Sequence, residues 1–204
     1  MDLFPEPVGV DQNLLPRDGL VSYHGPILSM DVADDSLAKL LRTIPWQRDE
    51  VMMFGKLIVT RRETAWYGDE PFVYTYSRIP RRALPWPAEL LELKELVETE
   101  TQETFNSCLL NLYHDGTEGM GWHSDDEPEL KPGGTIASLS LGAARKFAFK
   151  HKTTRETVSL MLAHGSLLVM KDVTQTHWKH RLPPTKRVGT PRVNLTFRII
   201  SRSS

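Results

Sequence analysis

Apolar residues recur at helical spacing in two places along the chain and at strand spacing through most of its second half. Between Asp34 and Ile44, the positions Leu37, Leu40, Leu41 and Ile44 fall on one face after an Asp/Ser capping signal, and Pro45 closes the run. A second amphipathic helix is predicted over 87–100, with Leu90, Leu91, Leu93 and Leu96 as its stripe and Pro85 and Pro87 marking its start. From Phe105 the period shortens, giving β-like runs at 105–113, 135–141, 146–151, 157–162, 166–170 and 192–200, separated by Gly, Pro and Asp. Many short strands at this spacing predict a mainly β sandwich or jelly roll with flanking helices.

The rest of the pattern is weaker. Residues 1–20 hold three prolines without periodicity and read as an irregular arm, leaving 21–204 as a single domain. Residues 46–86 are rich in aromatics and arginines, with Phe72-Val-Tyr-Thr-Tyr76 alternating, and read as small strands and loops outside the main sheet.

Composition narrows the class. The 204 residues are 40% hydrophobic and 25% charged, ordinary for a globular protein and too apolar for wholesale disorder. A net charge of -1 means that binding to a polyanion would need a local basic patch. A single cysteine, Cys108, excludes an internal disulfide and a multi-cysteine zinc site. The N-terminus has no secretory pattern, and the longest apolar stretch, 160–170, is broken by His164 and Gly165 and too short for a bilayer. We expect a soluble intracellular monomer with no membrane partner, cytoplasmic in a bacterium and nuclear in a eukaryote.

Candidate chemistry begins at Gly121-Trp-His123-Ser-Asp125-Asp126 and resumes at His177-Trp-Lys-His180. In an extended segment His123 and Asp125 point the same way, so an imidazole and a carboxylate can meet one metal, with a distant histidine completing a facial triad. Taken alone, His-x-Asp is common, and Asp125-Asp126-Glu127 reads first as solvated charge. The run 192–199 adds more. Arg192, Asn194, Thr196 and Arg198 share one face, and Val193, Leu195, Phe197 and Ile199 the other. This is either an edge strand with a solvated cationic face or a strand whose guanidiniums pair with carboxylates. Six residues of strand span roughly 20 Å, so the two arginines reach one small diacid only if they lean together. Asn111 and Tyr113 offer an amide and a phenol on one face of another strand, able to complete a carboxylate pocket.

In chain order these are Asn111-x-Tyr113, His123-x-Asp125, His180-x-x-Pro183 and Arg192-x-Asn194-x-Thr196-Phe-Arg198. That order resembles the AlkB-type Fe(II)/2-oxoglutarate-dependent dioxygenases over roughly residues 45–200. Within them the chain is most similar to the animal branch that repairs double-stranded DNA, through stretches such as Phe54-Gly-Lys56, Tyr67-Gly-Asp69, 136–142 and 162–166. The resemblance implies a double-stranded β-helix core at about 105–200 under an N-terminal nucleotide-recognition lid at about 46–86. It implies Fe(II) on His123, Asp125 and His180, choosing His180 over His177, with 2-oxoglutarate and O2 as co-substrates. It implies 2-oxoglutarate on Asn111, Tyr113, Arg192, Asn194, Thr196 and Arg198. Tyr74, Tyr76 and Asp126 would meet a flipped base, and Phe54 with Gly55 would wedge into the stack. The implied reaction is oxidative dealkylation of 1-methyladenine or 3-methylcytosine in DNA, releasing formaldehyde. The same chemistry on RNA, or on protein or lipid, stands as the alternative. Lys56, Arg61 and Arg62, then Lys150 and Lys152, then Lys186 and Arg187 are the candidate phosphate contacts.

Overall fold

A computed structural model describes residues 12–53, 56–76 and 79–201. In chain order the elements are β1 (Leu20–Pro26), α1 (Met30–Thr43), β2 (Gln47–Met53), β3 (Lys56–Gly68), β4 (Val73–Tyr76), β5 (Ile79–Arg82) and α2 (Ala88–Thr101). They continue with β6 (Ser107–Tyr113), β7 (Met120–His123), β8 (Ile136–Gly142), β9 (Arg145–His151), β10 (Thr157–Leu162) and β11 (Ser166–Lys171). The last are α3 (Thr174–His177), β12 (Trp178–Leu182) and β13 (Arg192–Arg198).

Two antiparallel sheets form the core, ordered β1-β11-β8-β13-β6-β3-β2 and β10-β9-β12-β7, with β4 and β5 as a separate ribbon. This is the mainly β, jelly-roll-like arrangement that the strand spacing predicts. All six predicted strands in the second half form, each within two residues of expectation. The expectation for 46–86 needs correction. Strands β2 and β3 are not outside the main sheet but extend it, with β3 pairing β6 from Glu63↔Leu112 to Gly68↔Ser107. Only β4 and β5 stand apart.

The larger sheet is clad by helices on one face and meets the smaller sheet on the other. Its helix side joins Ala33 and Leu40 of α1 and Leu90, Leu93 and Val97 of α2 to Leu110, Leu139, Val193, Leu195 and Phe197. On α2 the buried stripe therefore passes through Val97 and leaves Leu91 41% exposed. The start of α1 also moves. Ser29 Oγ accepts from Val32 N, so the helix begins at Met30, ahead of Asp34. The second core lies between the sheets, where Ile136, Phe149, Leu168, Met170 and Trp178 pack with Leu15.

Residues 12–19 carry no helix or strand and dock onto the core. Asn13 Oδ1 accepts from the amides of Leu15 and Val21, and Arg17 O accepts from the Trp178 indole at 3.0 Å. His151 Nδ1 accepts from the amides of Thr153 and Thr154, so its proton sits on Nε2 and is donated to Asp18, 3.2 Å away. The segment thereby clamps the ends of β9 and β12.

Strand β13 lies between β8 and β6, which removes the edge-strand alternative for its arginines. Its apolar face is fixed against the helices by the buried trio Val193, Leu195 and Phe197. Its polar face must then look between the sheets. Register at its start is held by Gly142, opposite Arg192, where a Cβ would collide with the Pro191 carbonyl and φ is +89°. Leu195→Ala should cost about 2–5 kcal/mol, seen as a lower urea midpoint at unchanged slope, because it opens a cavity at a fully buried site in the helix-side core.

Candidate metal and anion site

Three side chains converge at the open end between the sheets. His123 ends β7, Asp125 follows it in the loop, and His180 sits in β12 directly opposite His123 in register. One ligand atom from each lies within 4.8 Å of the others. Asp125 Oδ1 is 3.6 Å from His123 Nε2 and 3.7 Å from His180 Nε2, while its Oδ2 accepts from Arg198 Nη2 at 2.8 Å. Asp125 thus turns one oxygen to the imidazoles and the other to β13.

The surroundings fix each member. His123 Nδ1 lies 2.8 Å from Gly121 O, which can only accept, so the proton sits on Nδ1 and Nε2 keeps its lone pair. Phe147 stacks on the His180 ring at 5.5 Å and 26°. The Asp125 amide donates to Gln175 Oε1, and Ser124 Oγ donates to Trp178 O. Two imidazoles and a carboxylate arranged this way can hold one divalent metal on a single face, leaving the opposite positions open to other ligands.

Charge and burial agree with that use. Burial alone would raise the Asp125 carboxyl, but Arg198 and then His180 and His123 outweigh it and hold it below its ordinary value. Burial pushes His180 down to about 3, against the pull of Asp125 and with help from His123 and Arg198. Both groups therefore stand in their metal-binding protonation states near neutrality.

The other end of β13 carries a different kind of group. Arg192 is 2% exposed, and Nη2 donates to Ser140 Oγ and Asn194 Oδ1 at 2.9 and 2.8 Å. Its Nε has no partner, and no carboxylate lies within ion-pair distance among the described residues. Burial lowers it to about 10, and the Tyr113 ring lies 5.7 Å from the guanidinium carbon. A buried cation without counter-charge is costly, and a bound anion would offset that cost. Arg192, Tyr113 and Asn111 line a cavity of about 500 Å³, mouth included, whose wall also holds His123, Asp125 and His180. An oxoacid on Arg192 and a metal on the triad would share one chamber.

All six residues expected to hold the oxoacid, Asn111, Tyr113, Arg192, Asn194, Thr196 and Arg198, line that chamber, and some of them have protein partners as well. Asn194 is committed to its neighbours, accepting from Ser138 Oγ and Arg192 and donating to Thr196 Oγ1. Arg198 is engaged by Asp125. His177 lies apart, stacked parallel to His151 at 6.1 Å. Asp126 is exposed on the flank, 3.6 Å from Lys152, and lines an adjoining cavity of about 800 Å³, mouth included, that shares Asp125 and Arg198 with the chamber. Phe54 and Gly55 lie outside the described residues, and Tyr74 and Tyr76 belong to β4 by their backbone pairing with β5.

Sequence reasoning missed several lining residues. Arg62, Thr64 and Trp66, alternating along β3, line a more apolar opening of about 740 Å³ above His123 and Asp125, together with Met120 and Leu130. Their period-two spacing is the sequence signal that marks them, and the pairing of β3 with β6 decides which face it belongs to. Arg61 pairs with Glu118 and Asp115, so neither it nor the buried Arg62 is a free surface cation. Ser138 and Ser140, polar at every second place in an otherwise apolar strand, show the same signal and bond Asn194 and Arg192.

Comparison with known proteins follows the geometry. Residues 19–198 match the 2OG-Fe(II) oxygenase superfamily. The chain is 48% identical over 159 residues to the mouse protein named DNA oxidative demethylase ALKBH2, covering 74% of this chain and 66% of the relative. It is 42% identical over 190 residues to mouse alpha-ketoglutarate-dependent dioxygenase alkB homolog 3, covering 88% and 66%. The chain therefore spans just under two thirds of these relatives' length. The solved structure of OsALKBH1 shares its fold, with a TM-score of 0.63, 15% identity and coverage of 91% of this chain and 98% of that one.

The His180 environment has a measurable consequence. The unfolded histidine titrates near pH 6.5 and the folded one near 3, so between those values the unfolded chain binds more protons and stability falls as pH falls. With chelator present, the wild type should lose about 2 kcal/mol between pH 7 and pH 5 that a His180→Asn variant does not lose. Urea unfolding of both proteins at the two pH values checks it.

Proposed function

This chain belongs to the 2OG-Fe(II) oxygenase superfamily, and on that premise we propose that it removes alkyl groups oxidatively from damaged bases in DNA. The observation that carries the reading is the chamber in which a buried, uncompensated Arg192 faces the same space as a His-Asp-His cluster. The similarity to proteins named DNA oxidative demethylases directs it toward DNA.

In this reading His123, Asp125 and His180 hold Fe(II), and Arg192 takes the far carboxylate of 2-oxoglutarate beside Tyr113 and Asn111. Asn194 and Thr196 keep Arg192 aimed, and Arg198 keeps Asp125 ionised and oriented. When bound, iron and 2-oxoglutarate supply the oxidation: O2 is consumed, 2-oxoglutarate becomes succinate and carbon dioxide, and one oxygen enters the N-alkyl carbon. The resulting hemiaminal releases formaldehyde and the repaired base.

The chain's own task is positioning. The opening lined by Arg62, Thr64, Trp66 and Met120 also holds His123 and Asp125 and is assigned to the entering base. Asp126, Tyr74 and Tyr76 are assigned to the cationic lesion, which negative charge and aromatic faces attract. Phe54 and Gly55 are assigned to the gap left by the extruded base, whose weakened pairing lowers the cost of flipping. Such a protein acts wherever its DNA lies, as a monomer. No helix among the described residues is long and apolar enough to cross a membrane.

Mass spectrometry of a 3-methylcytosine oligonucleotide, incubated aerobically with Fe(II), ascorbate and 2-oxoglutarate, tests the reading. Loss of the methyl group with the wild type and not with Asp125→Ala is expected. Succinate formation without methyl loss on DNA, but with loss on RNA, would move the substrate. Arg192→Lys should raise the 2-oxoglutarate concentration for half-maximal rate at least about tenfold, because an ammonium cannot give the bidentate fork.

A further inference from the structure

The smaller sheet has a second face that the chemistry above does not use. Its strands alternate, so while His123, Phe147, Phe149, Trp178 and His180 look inward, the residues between them look out. Those are Trp122 of β7, Lys146, the small Ala148 and Lys150 of β9, and Lys179 and Arg181 of β12. The four strands contain no aspartate or glutamate, in a chain with 26 acidic residues against 25 Lys and Arg. A single-sign face is therefore not a product of overall composition.

The arrangement works against folding. Lys150 and Lys179 are directly opposite each other in register, a pairing of like charges that destabilises a sheet. No acidic partner relieves them among the described residues. At the rim, Glu156 is engaged by Arg17 at 3.5 Å and Asp126 by Lys152 at 3.6 Å. The cations lean on an aromatic ring instead, with the Arg181 guanidinium 4.5 Å and the Lys150 ammonium 5.6 Å from the Trp122 centroid. Arg181 Nε is buried there without a hydrogen-bond partner.

We propose that this outer face, Lys146, Lys150, Lys179 and Arg181 around Trp122, is a track for the phosphodiester backbone flanking the target nucleotide. The inference rests on the nucleic-acid reading of the site and extends it to a surface. Four cations without an acidic partner among the described residues, spread over about 13 Å along β9 and one strand spacing across to β12, fit a row of phosphates better than one small anion. Position supports the same partner. Trp122 precedes the inward His123, and Lys179 and Arg181 flank the inward His180. Because β7 is the edge of its sheet, a strand entering the chamber can round that edge onto the basic face.

The experiment uses the full chain and a Lys146→Glu/Lys179→Glu double variant, both exposed positions. Anisotropy with an unmodified 20-nucleotide strand and its duplex, over a series of KCl concentrations, gives affinity and salt slope. The variant should bind at least about tenfold more weakly, with a log–log slope shallower by roughly 1.4–1.8 for two lost phosphate contacts. Dealkylation of a 3-methylcytosine trinucleotide, too short to reach the face, should be unchanged. Lys179→Glu alone should raise the melting temperature while weakening binding, since it turns a like-charge pair with Lys150 into an opposite one. Unchanged affinity and slope in the double variant, or no salt-dependent binding by the wild type, would overturn the inference. Wild-type binding that the variant loses, with no methyl loss from any oligonucleotide, would keep the track and sink the demethylase reading instead.

Discussion

A carboxylate buried to 6% exposure needs a cation and polar partners close by, and Asp125 finds them in both sheets. His123 and His180 come from the smaller sheet and Arg198 from the larger, so the 2.8 Å contact between Arg198 and Asp125 also ties the two layers at their open end. Removing either partner would strand the other in a low-dielectric setting, which is where a buried ion pair resists change most. The register of β13 against β6 and β8 is what delivers Arg198 to this point, and the same register delivers Arg192 to the far end. The two arginines on one face are thereby divided. Arg198 meets a carboxylate of the protein, while Arg192, on the wall of the same cavity, has none within ion-pair distance among the described residues.

Around that axis the supporting contacts rely on buried polar groups to a degree that a stability-only design would avoid. Arg145, 1% exposed, donates to the carbonyls of Asp115, Gly116, Glu118 and Pro183, fixing the turn after Tyr113 against the segment after His180. The Ser138–Asn194–Thr196 chain and the Ser140–Arg192 bond place hydroxyls and amides where a simple sandwich would carry valine or leucine. The apolar layer under α1 and α2 offsets their cost, so one face of the large sheet supplies stability while the other holds chemistry.

Much of this was legible in the sequence because both periods were clean. The strict alternation in 192–199 forecast which residues of β13 would be buried with the helices and which would face the chamber. Asn111 and Tyr113 share a wall as their spacing implies. What escaped had identifiable causes. Strands β7 and β12 are four and five residues long, below the length at which alternation separates from chance, and β12 has a charged outer face that reads as a loop. Strand β3 carries arginines and a glutamate at places that look solvent-facing, yet Arg62 is 6% exposed while Ala65 and Tyr67 join the helix-side core. Only its pairing with β6 decides which face is which. The docking of residues 12–19 through Asn13, Arg17 and Asp18 depends on partners up to 161 residues away and has no local signature.

The membership of β3 in the large sheet also changes what the upper opening is. Had residues 46–86 formed a detached lid, the wall above His123 would be set by a loop free to move with its ligand. Instead Arg62, Thr64 and Trp66 project from a strand whose neighbour, β6, presents Leu109 and Asn111 to the same space. A strand locked by ladder hydrogen bonds holds its side chains far more narrowly than a loop does, so this wall is preformed. Shape selection by the opening then belongs to the rigid sheet. What remains separate is the small β4–β5 ribbon, which stands outside both sheets and is the one described element of this region free of that constraint.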